Sequence, residues 1–148
     1  MLSNIEIQNF CSEYGIPLDF IDSKNRLPKQ LKPGNYIINL QDRHEGNGTH
    51  WVALKVLDND TGLYYDSFGI SPPLEVSMRL KNVLSNRDTV QDLQSNACGF
   101  YCIAFLHFFE SHTPRSFYLN TFNKMFSPDT SKNAQVLNYY IQKHIVKK

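Results

Sequence analysis

Four polar side chains of this chain have the types and the order that a thiol-based nucleophilic site requires. A histidine comes first, followed by an aspartate, a glutamine and a cysteine: His50, Asp66, Gln91 and Cys98. A cysteine nucleophile needs a base, a group that orients the base, and hydrogen-bond donors for the oxyanion that forms when a carbonyl is attacked. Because each need has a candidate, the pattern predicts attack by the Cys98 sulfur on a carbonyl carbon.

The cysteine stands where a polar segment meets an apolar one. Residues 98–110 are apolar at nearly every position, which predicts a helix buried on all sides. Unpaired N–H groups and the positive end of the helix dipole would lower the pKa of a thiol at its start. Gly99 would leave room for a substrate backbone beside Cys98. The alternative is that Cys98 is a buried core residue without a chemical role, as most lone cysteines are.

The histidine and the aspartate lie on a predicted β-hairpin. Residues 50–57 and 63–68 read as its strands, with a turn at 58–62. A turn centred on Asp60 would place Asp66 opposite Leu54 rather than His50. The prediction therefore requires an earlier turn, or a bulge near Gly62. Trp51 alternates to the other face, where it either walls a substrate groove or packs in the core.

The oxyanion donor has two candidates. A neutral amide at Gln91 or Gln94 could donate to the oxyanion together with the Cys98 backbone N–H, and one such donor contributes roughly 3 kcal/mol. The residues alone do not separate the two. We predict no metal and no cofactor, because a zinc site would need a second cysteine pair. The remaining cysteines are assigned to the core and the remaining histidines have no predicted role: Cys11, Cys102, His44, His107, His112 and His144.

The other segments complete an α+β fold. Ser3 and Glu6 form a capping box that predicts a helix over 3–15. Residues 35–40 read as a buried strand and 18–32 as irregular chain. The sequence also predicts a short strand at 89–93 and helices over 74–84, 115–126 and 131–146. We expect a small mixed or antiparallel sheet that carries His50 and Asp66, packed against a central buried helix with Cys98 at its N-terminus.

Composition bounds the class of protein. The chain has 148 residues, 41% of them hydrophobic, and a net charge of +1. This predicts one domain over residues 1–148 and argues against strong non-specific nucleic-acid binding. An odd cysteine count, no signal-peptide pattern and no apolar run of membrane-spanning length predict a soluble protein in a reducing compartment, neither secreted nor membrane-bound.

Residues 91–106 resemble the adenain-like cysteine proteases, the group of the adenovirus maturation protease, in the superfamily of the SUMO-specific proteases. Their shared pattern is a glutamine seven residues before a Cys-Gly pair that opens a buried helix, which selects Gln91 over Gln94. Residues 50–54 are similar to the family's His-Trp strand and residues 64–69 to its acidic strand. Residues 35–40 and 48–49 also fit small members from virophages and related elements.

The resemblance implies an endopeptidase that cleaves viral structural polypeptides at Gly-Gly or Gly-X-Gly sites during virion maturation. We expect it to act as a monomer and without a cofactor. Its location would be the virion or the host-cell cytoplasm. A peptide or DNA activator is known in the family, but no residue here supports one. The alternatives are a protease that removes ubiquitin-like (SUMO-type) tags, an acyltransferase, for which no basic pocket is evident, and a non-catalytic binding module, against which the intact site argues.

Overall fold

The computed structural model of the chain describes residues 1–41, 50–58, 60–92, 95–110 and 116–147. Most of the loop predicted before His50, as well as Gln94, His44 and His112, lies outside the described residues. Within them, the chain forms an α+β structure with one mixed sheet and a central helix.

Within the described residues, the sheet has five strands in the order of the sequence. They are β1 (Phe20–Ser23), β2 (Gly34–Asn39), β3 (Trp51–Val56), β4 (Thr61–Tyr65) and β5 (Asn82–Ser85). The three central strands pair antiparallel, and the two edge strands pair parallel to their neighbours. The predicted mixed sheet and its β3–β4 hairpin are therefore confirmed.

Five α-helices accompany the sheet in the described residues. They are α1 (Asn4–Glu13), α2 (Leu74–Ser77), α3 (Cys98–Glu110), α4 (Ser116–Asn123) and α5 (Asn133–Tyr140), which continues as a π-helical stretch over Ile141–Val146. The predicted capping box begins α1, because the Ser3 hydroxyl accepts from Glu6 N and the Glu6 carboxylate accepts from Ser3 N. No helix in the described ranges combines the length and apolar character needed to cross a membrane.

Both faces of the sheet are covered. Side chains such as Ile37, Ala53 and Tyr65 join α3 in one core, and their strand neighbours, such as Ile38 and Leu54, join a second core. Burial on both faces explains why the central strands read as continuous apolar runs instead of alternating ones. Helix α3 lies in the first core with nine of its residues buried, as its composition predicted.

Three secondary-structure predictions were wrong. Residues 18–32 are not wholly irregular, because β1 adds to the sheet edge and a 3₁₀ turn follows at Lys24–Arg26. The helix predicted over 74–84 ends at Ser77, and β5 then pairs with β4. Apolar spacing was misleading here, since Leu74 and Met78 are 70% and 76% exposed. Residues 89–92 form no strand; the N–H groups of Val90 and Gln91 instead donate to the Ser67 carbonyl.

Candidate active site

The predicted base and its orienting carboxylate meet at one end of the hairpin. His50 directly precedes β3 and Asp66 directly follows β4, and the start of one antiparallel strand lies beside the end of its partner. The His50 Nε2 atom is 2.7 Å from Asp66 Oδ1. Asp66 is fully buried, and the His50 side chain is 12% exposed.

The register of the hairpin shows how Asp66 comes within reach of His50, which a turn centred on Asp60 did not explain. Tyr65 stands opposite Ala53, so continuing the ladder by one step places Asp66 level with Val52. The turn therefore comes one residue earlier than a turn centred on Asp60, which is one of the two solutions that the sequence required. His50 is then the diagonal neighbour of Asp66, and diagonal pairs lie within reach of long side chains.

The nucleophile candidate joins this pair from the tip of the central helix. Cys98 is the first residue of α3 and is 2% exposed. Its sulfur accepts the backbone N–H of Trp51 at 3.5 Å, and the His50 ring lies close enough to lower the pKa of the thiol. Because His50 Nε2 faces Asp66, Nδ1 is the ring nitrogen left for the thiol. One imidazole thus bridges a carboxylate and a sulfur.

The surroundings favour a charged pair. Burial raises the pKa of the Cys98 thiol, but hydrogen bonds from His50 and from the Trp51 N–H, with the His50 charge, outweigh burial and lower that pKa overall. Burial lowers the pKa of His50, yet its contacts with Asp66 and Cys98 raise that pKa to about 9. Both shifts stabilise thiolate with imidazolium, the reactive form of a cysteine nucleophile.

Asp66 is fixed by contacts that the sequence did not reveal. Its Oδ1 also accepts from Phe68 N at 2.8 Å, and the Phe68 ring stacks on His50 with centroids 4.7 Å apart. The buried Asn86 side chain pairs with the Asp66 backbone, accepting from its N–H at 3.0 Å and donating to its carbonyl. Asn86 thereby replaces the strand partner that is missing once β5 has ended. No sequence signal marks it, because an asparagine after a strand is ordinary in turns.

Gln91 is held beside the segment that leads to the nucleophile. The side chain is 2% exposed, its Oε1 accepts from the Ser67 hydroxyl, and its Nε2 donates to the Ser95 carbonyl at 3.0 Å. Ser95 precedes Cys98 by three residues, so the amide nitrogen is anchored close to the start of α3. Donation to an oxyanion stays a prediction for this residue.

Trp51 and Gly99 were predicted to contact substrate. In the structure, both residues contact the N-terminal part of the chain. Trp51 is 5% exposed, and its indole N–H donates to the Leu2 carbonyl at 2.9 Å. This is the geometry of the core-packing alternative. A Cβ on Gly99 would lie 3.2 Å from methyl carbons of both Leu2 and Ile7, so a glycine here accommodates the N-terminal segment. Substrate contact by either residue stays a prediction.

The other cysteines and histidines of the described chain have structural surroundings. Cys11 and Cys102 are each 1% exposed, and burial raises the pKa of Cys11 to about 11 and that of Cys102 well above its usual value. His107 Nδ1 lies 2.8 Å from the Tyr140 hydroxyl, and the His144 ring contacts the Tyr140 ring. Among the described residues, no group of three or more His, Cys, Asp or Glu side chains could hold a metal ion.

Comparison with known proteins finds structural likeness at low sequence identity. No family model matches the chain, and no curated protein matches it. Two structures of the ASFV pS273R protease align with TM-scores of 0.49 and 0.46, at 19% and 17% identity, over 75% and 94% of this chain and 43% and 63% of theirs. The AvrA delL154 protein with IP6 and CoA aligns with a TM-score of 0.44 at 15% identity, over 92% of this chain and 66% of its own. The chain spans less than two thirds of the length of each.

Proposed function

We propose that this protein is a cysteine endopeptidase. Cys98 is the nucleophile, His50 the general base and acid, Asp66 the group that orients His50, and Gln91 the oxyanion donor. The observation that carries the proposal is the position of the His50 ring between two groups. Its Nε2 atom contacts the Asp66 carboxylate, and the ring also interacts with the Cys98 sulfur. The buried carboxylate also holds the ring in place for proton transfer.

The reaction follows from these contacts. His50 takes the Cys98 proton, and the thiolate attacks the peptide carbonyl carbon to form a tetrahedral oxyanion. The Gln91 amide and the Cys98 backbone N–H donate to that oxygen. His50 then gives its proton to the leaving amine as the C–N bond breaks, which leaves a thioester on Cys98. Water, deprotonated by His50, hydrolyses the thioester and regenerates the thiol.

The proposed substrate is a polypeptide with glycine next to the scissile bond. Cys98 is only 2% exposed, so a residue without a side chain approaches the sulfur most easily. The resemblance to adenain-like proteases supports Gly-Gly or Gly-X-Gly sites in viral precursor proteins, cleaved during virion maturation. Tails of ubiquitin-like proteins end in the same dipeptide, so removal of such tags is the alternative.

The test compares the parent protein with Cys98→Ala on two substrate panels: peptides containing Gly-Gly or Gly-X-Gly, and ubiquitin-like conjugates including SUMO. We expect the parent to cleave peptides and Cys98→Ala to lose activity by roughly 10³-fold or more. Cys11→Ala is the matched control, because it also removes a buried thiol; once circular dichroism shows that it is folded, it should keep the parent's activity.

Three results would contradict parts of this proposal. A parent protein that cleaves neither panel, or a Cys98→Ala variant that cleaves as well as the parent, would exclude the cysteine endopeptidase. Cleavage of conjugates but not of peptides would favour removal of ubiquitin-like tags. Acylation of Cys98 by acetyl-CoA without any peptide cleavage, measured by intact mass, would favour the acyltransferase.

A further inference from the structure

Ser67 holds Gln91 by both its backbone and its side chain. The Ser67 carbonyl accepts the N–H groups of Val90 at 2.9 Å and Gln91 at 3.1 Å, and the Ser67 hydroxyl donates to Gln91 Oε1. Ser67 is 2% exposed and directly follows Asp66 in the chain. A single buried serine therefore connects the carboxylate that orients the base with the amide assigned to the oxyanion.

The hydrogen-bond partners of Gln91 determine the orientation of its side-chain amide. The Ser95 carbonyl can only accept a hydrogen bond, so it must face the NH₂ end, as it does at 3.0 Å. The Oε1 end then needs a donor, and the Ser67 hydroxyl supplies it. In the flipped orientation of the amide, its oxygen would face the Ser95 carbonyl oxygen, and the two acceptors would repel each other.

We propose that Ser67 is a positioning residue for the reaction, which fixes the Gln91 amide with its NH₂ end toward Ser95 and the start of α3. This inference rests on the proposed function. A donor fixed before the reaction stabilises the oxyanion without reorganising when charge develops. If the Ser67 hydroxyl is removed, the buried Gln91 Oε1 atom loses this hydrogen-bond donor, which costs free energy. The side-chain amide is then no longer held in this orientation.

The central experiment is a double-mutant cycle on Ser67 and Gln91, with peptide hydrolysis as the readout. We expect Ser67→Ala to lower kcat by about 10- to 100-fold and to leave KM within about twofold, since the lost interaction acts in the transition state. In the Gln91→Ala background, Ser67→Ala should cause no further loss, because Ser67 acts through the amide that is already gone.

Two controls separate positioning from general damage. Alkylation of Cys98 by iodoacetamide forms no oxyanion, so its rate in Ser67→Ala should stay within about twofold of the parent's. Thr89→Val removes another side-chain hydrogen bond of this region, from Thr89 to the Phe68 carbonyl, and should leave kcat unchanged. Equal losses of hydrolysis and alkylation in Ser67→Ala would show a merely structural role and overturn the proposal.

A nuclear magnetic resonance measurement tests the hydrogen bond without turnover. The side-chain NH₂ signals of Gln91, identified by their loss in Gln91→Ala, should exchange with solvent at least about tenfold faster in Ser67→Ala. Unchanged exchange, or kcat losses that multiply in the double variant, would overturn the role of Ser67 while leaving the peptidase intact. A parent protein that hydrolyses no peptide would instead overturn the proposed function, and this inference with it.

Discussion

At the scale of single residues, the opposite pKa shifts of Cys98 and His50 define a pH range. The pKa of Cys98 is lowered, so the thiolate forms below the usual pKa of a thiol, and the imidazolium persists until the pH passes about 9, the raised pKa of His50. We expect kcat/KM for peptide hydrolysis to rise as Cys98 loses its proton, below the usual pKa of a thiol, and to fall above about pH 9, because the leaving amine then has no proton donor.

Alkylation of Cys98 provides the control for this profile. Iodoacetamide needs the thiolate but no proton donor, so its rate should show the rising limb and no fall above pH 9. The charged pair is refuted if the rising limb of both reactions lies at or above the pKa of an ordinary thiol, about 8.5.

Asp66→Asn tests the carboxylate that holds the imidazole. The amide has nearly the same shape but lacks the charge that raises the pKa of His50, so the alkaline limb should move to lower pH. Since an amide can also stabilise the wrong tautomer, we expect kcat to fall by roughly 10²- to 10⁴-fold. The control is Asp88→Asn, an exposed carboxylate on the segment after β5. An Asp66→Asn variant with the parent's kcat and pH profile would exclude the assigned role.

At the scale of elements, the turn after β4 fixes the direction in which Asp66 leaves the sheet. Gly69 N donates to the Asp66 carbonyl at 2.8 Å, and Gly69 has φ +73°, with the place of a Cβ only 2.5 Å from the Arg87 carbonyl oxygen. We expect Gly69→Ala to lower the free energy of unfolding by about 3 kcal/mol, from left-handed strain plus a backbone clash, and to reduce activity by displacing Asp66.

Gly15→Ala is the matched control for that clash. Gly15 has nearly the same φ, +69°, but nothing lies within 4 Å of its would-be Cβ, so its cost should be strain alone, about 1–2 kcal/mol. Urea unfolding of both variants measures the difference. Equal losses in the two would mean that the contact with Arg87 contributes nothing.

The elements also show where sequence reasoning succeeds. Helix α3 was predicted with its exact bounds, because a run that is apolar on every side can only be buried, and the capping box placed the start of α1. By contrast, β5 was read as helix. Its four residues pair with β4 through the backbone, and their side chains are half-buried or exposed. The residue types of β5 therefore do not indicate that it is a strand.

At the scale of the whole molecule, the site forms where the N-terminal segment, the hairpin and α3 meet. The residue types of the site could be read from the sequence, since thiol chemistry restricts them to few choices. The supports could not, because Asn86 and Ser67 acquire their roles only from the register of β4 and from the path of the chain after β5. A side chain that pairs with a backbone group twenty residues away leaves no local pattern.

Trp51 connects these parts, and its replacement distinguishes the two roles predicted for it. Its backbone N–H donates to the Cys98 sulfur, and its indole N–H donates to the Leu2 carbonyl. Trp51→Phe keeps the first contact and removes the second. If the indole packs the core, the free energy of unfolding should fall by about 1–3 kcal/mol, from one lost hydrogen bond and reduced packing. The KM for a short glycine-containing peptide should then stay within about twofold.

Because Trp51 is the only tryptophan, unfolding of this variant must be followed by circular dichroism instead of fluorescence. The matched comparison is Tyr36→Phe, which removes a hydrogen bond to the Lys32 carbonyl in the second core, on the opposite face of the sheet from α3. It should lower stability by about 1 kcal/mol with no change in KM. A Trp51→Phe variant with the parent's stability and a KM raised tenfold would mean that the indole walls the substrate groove.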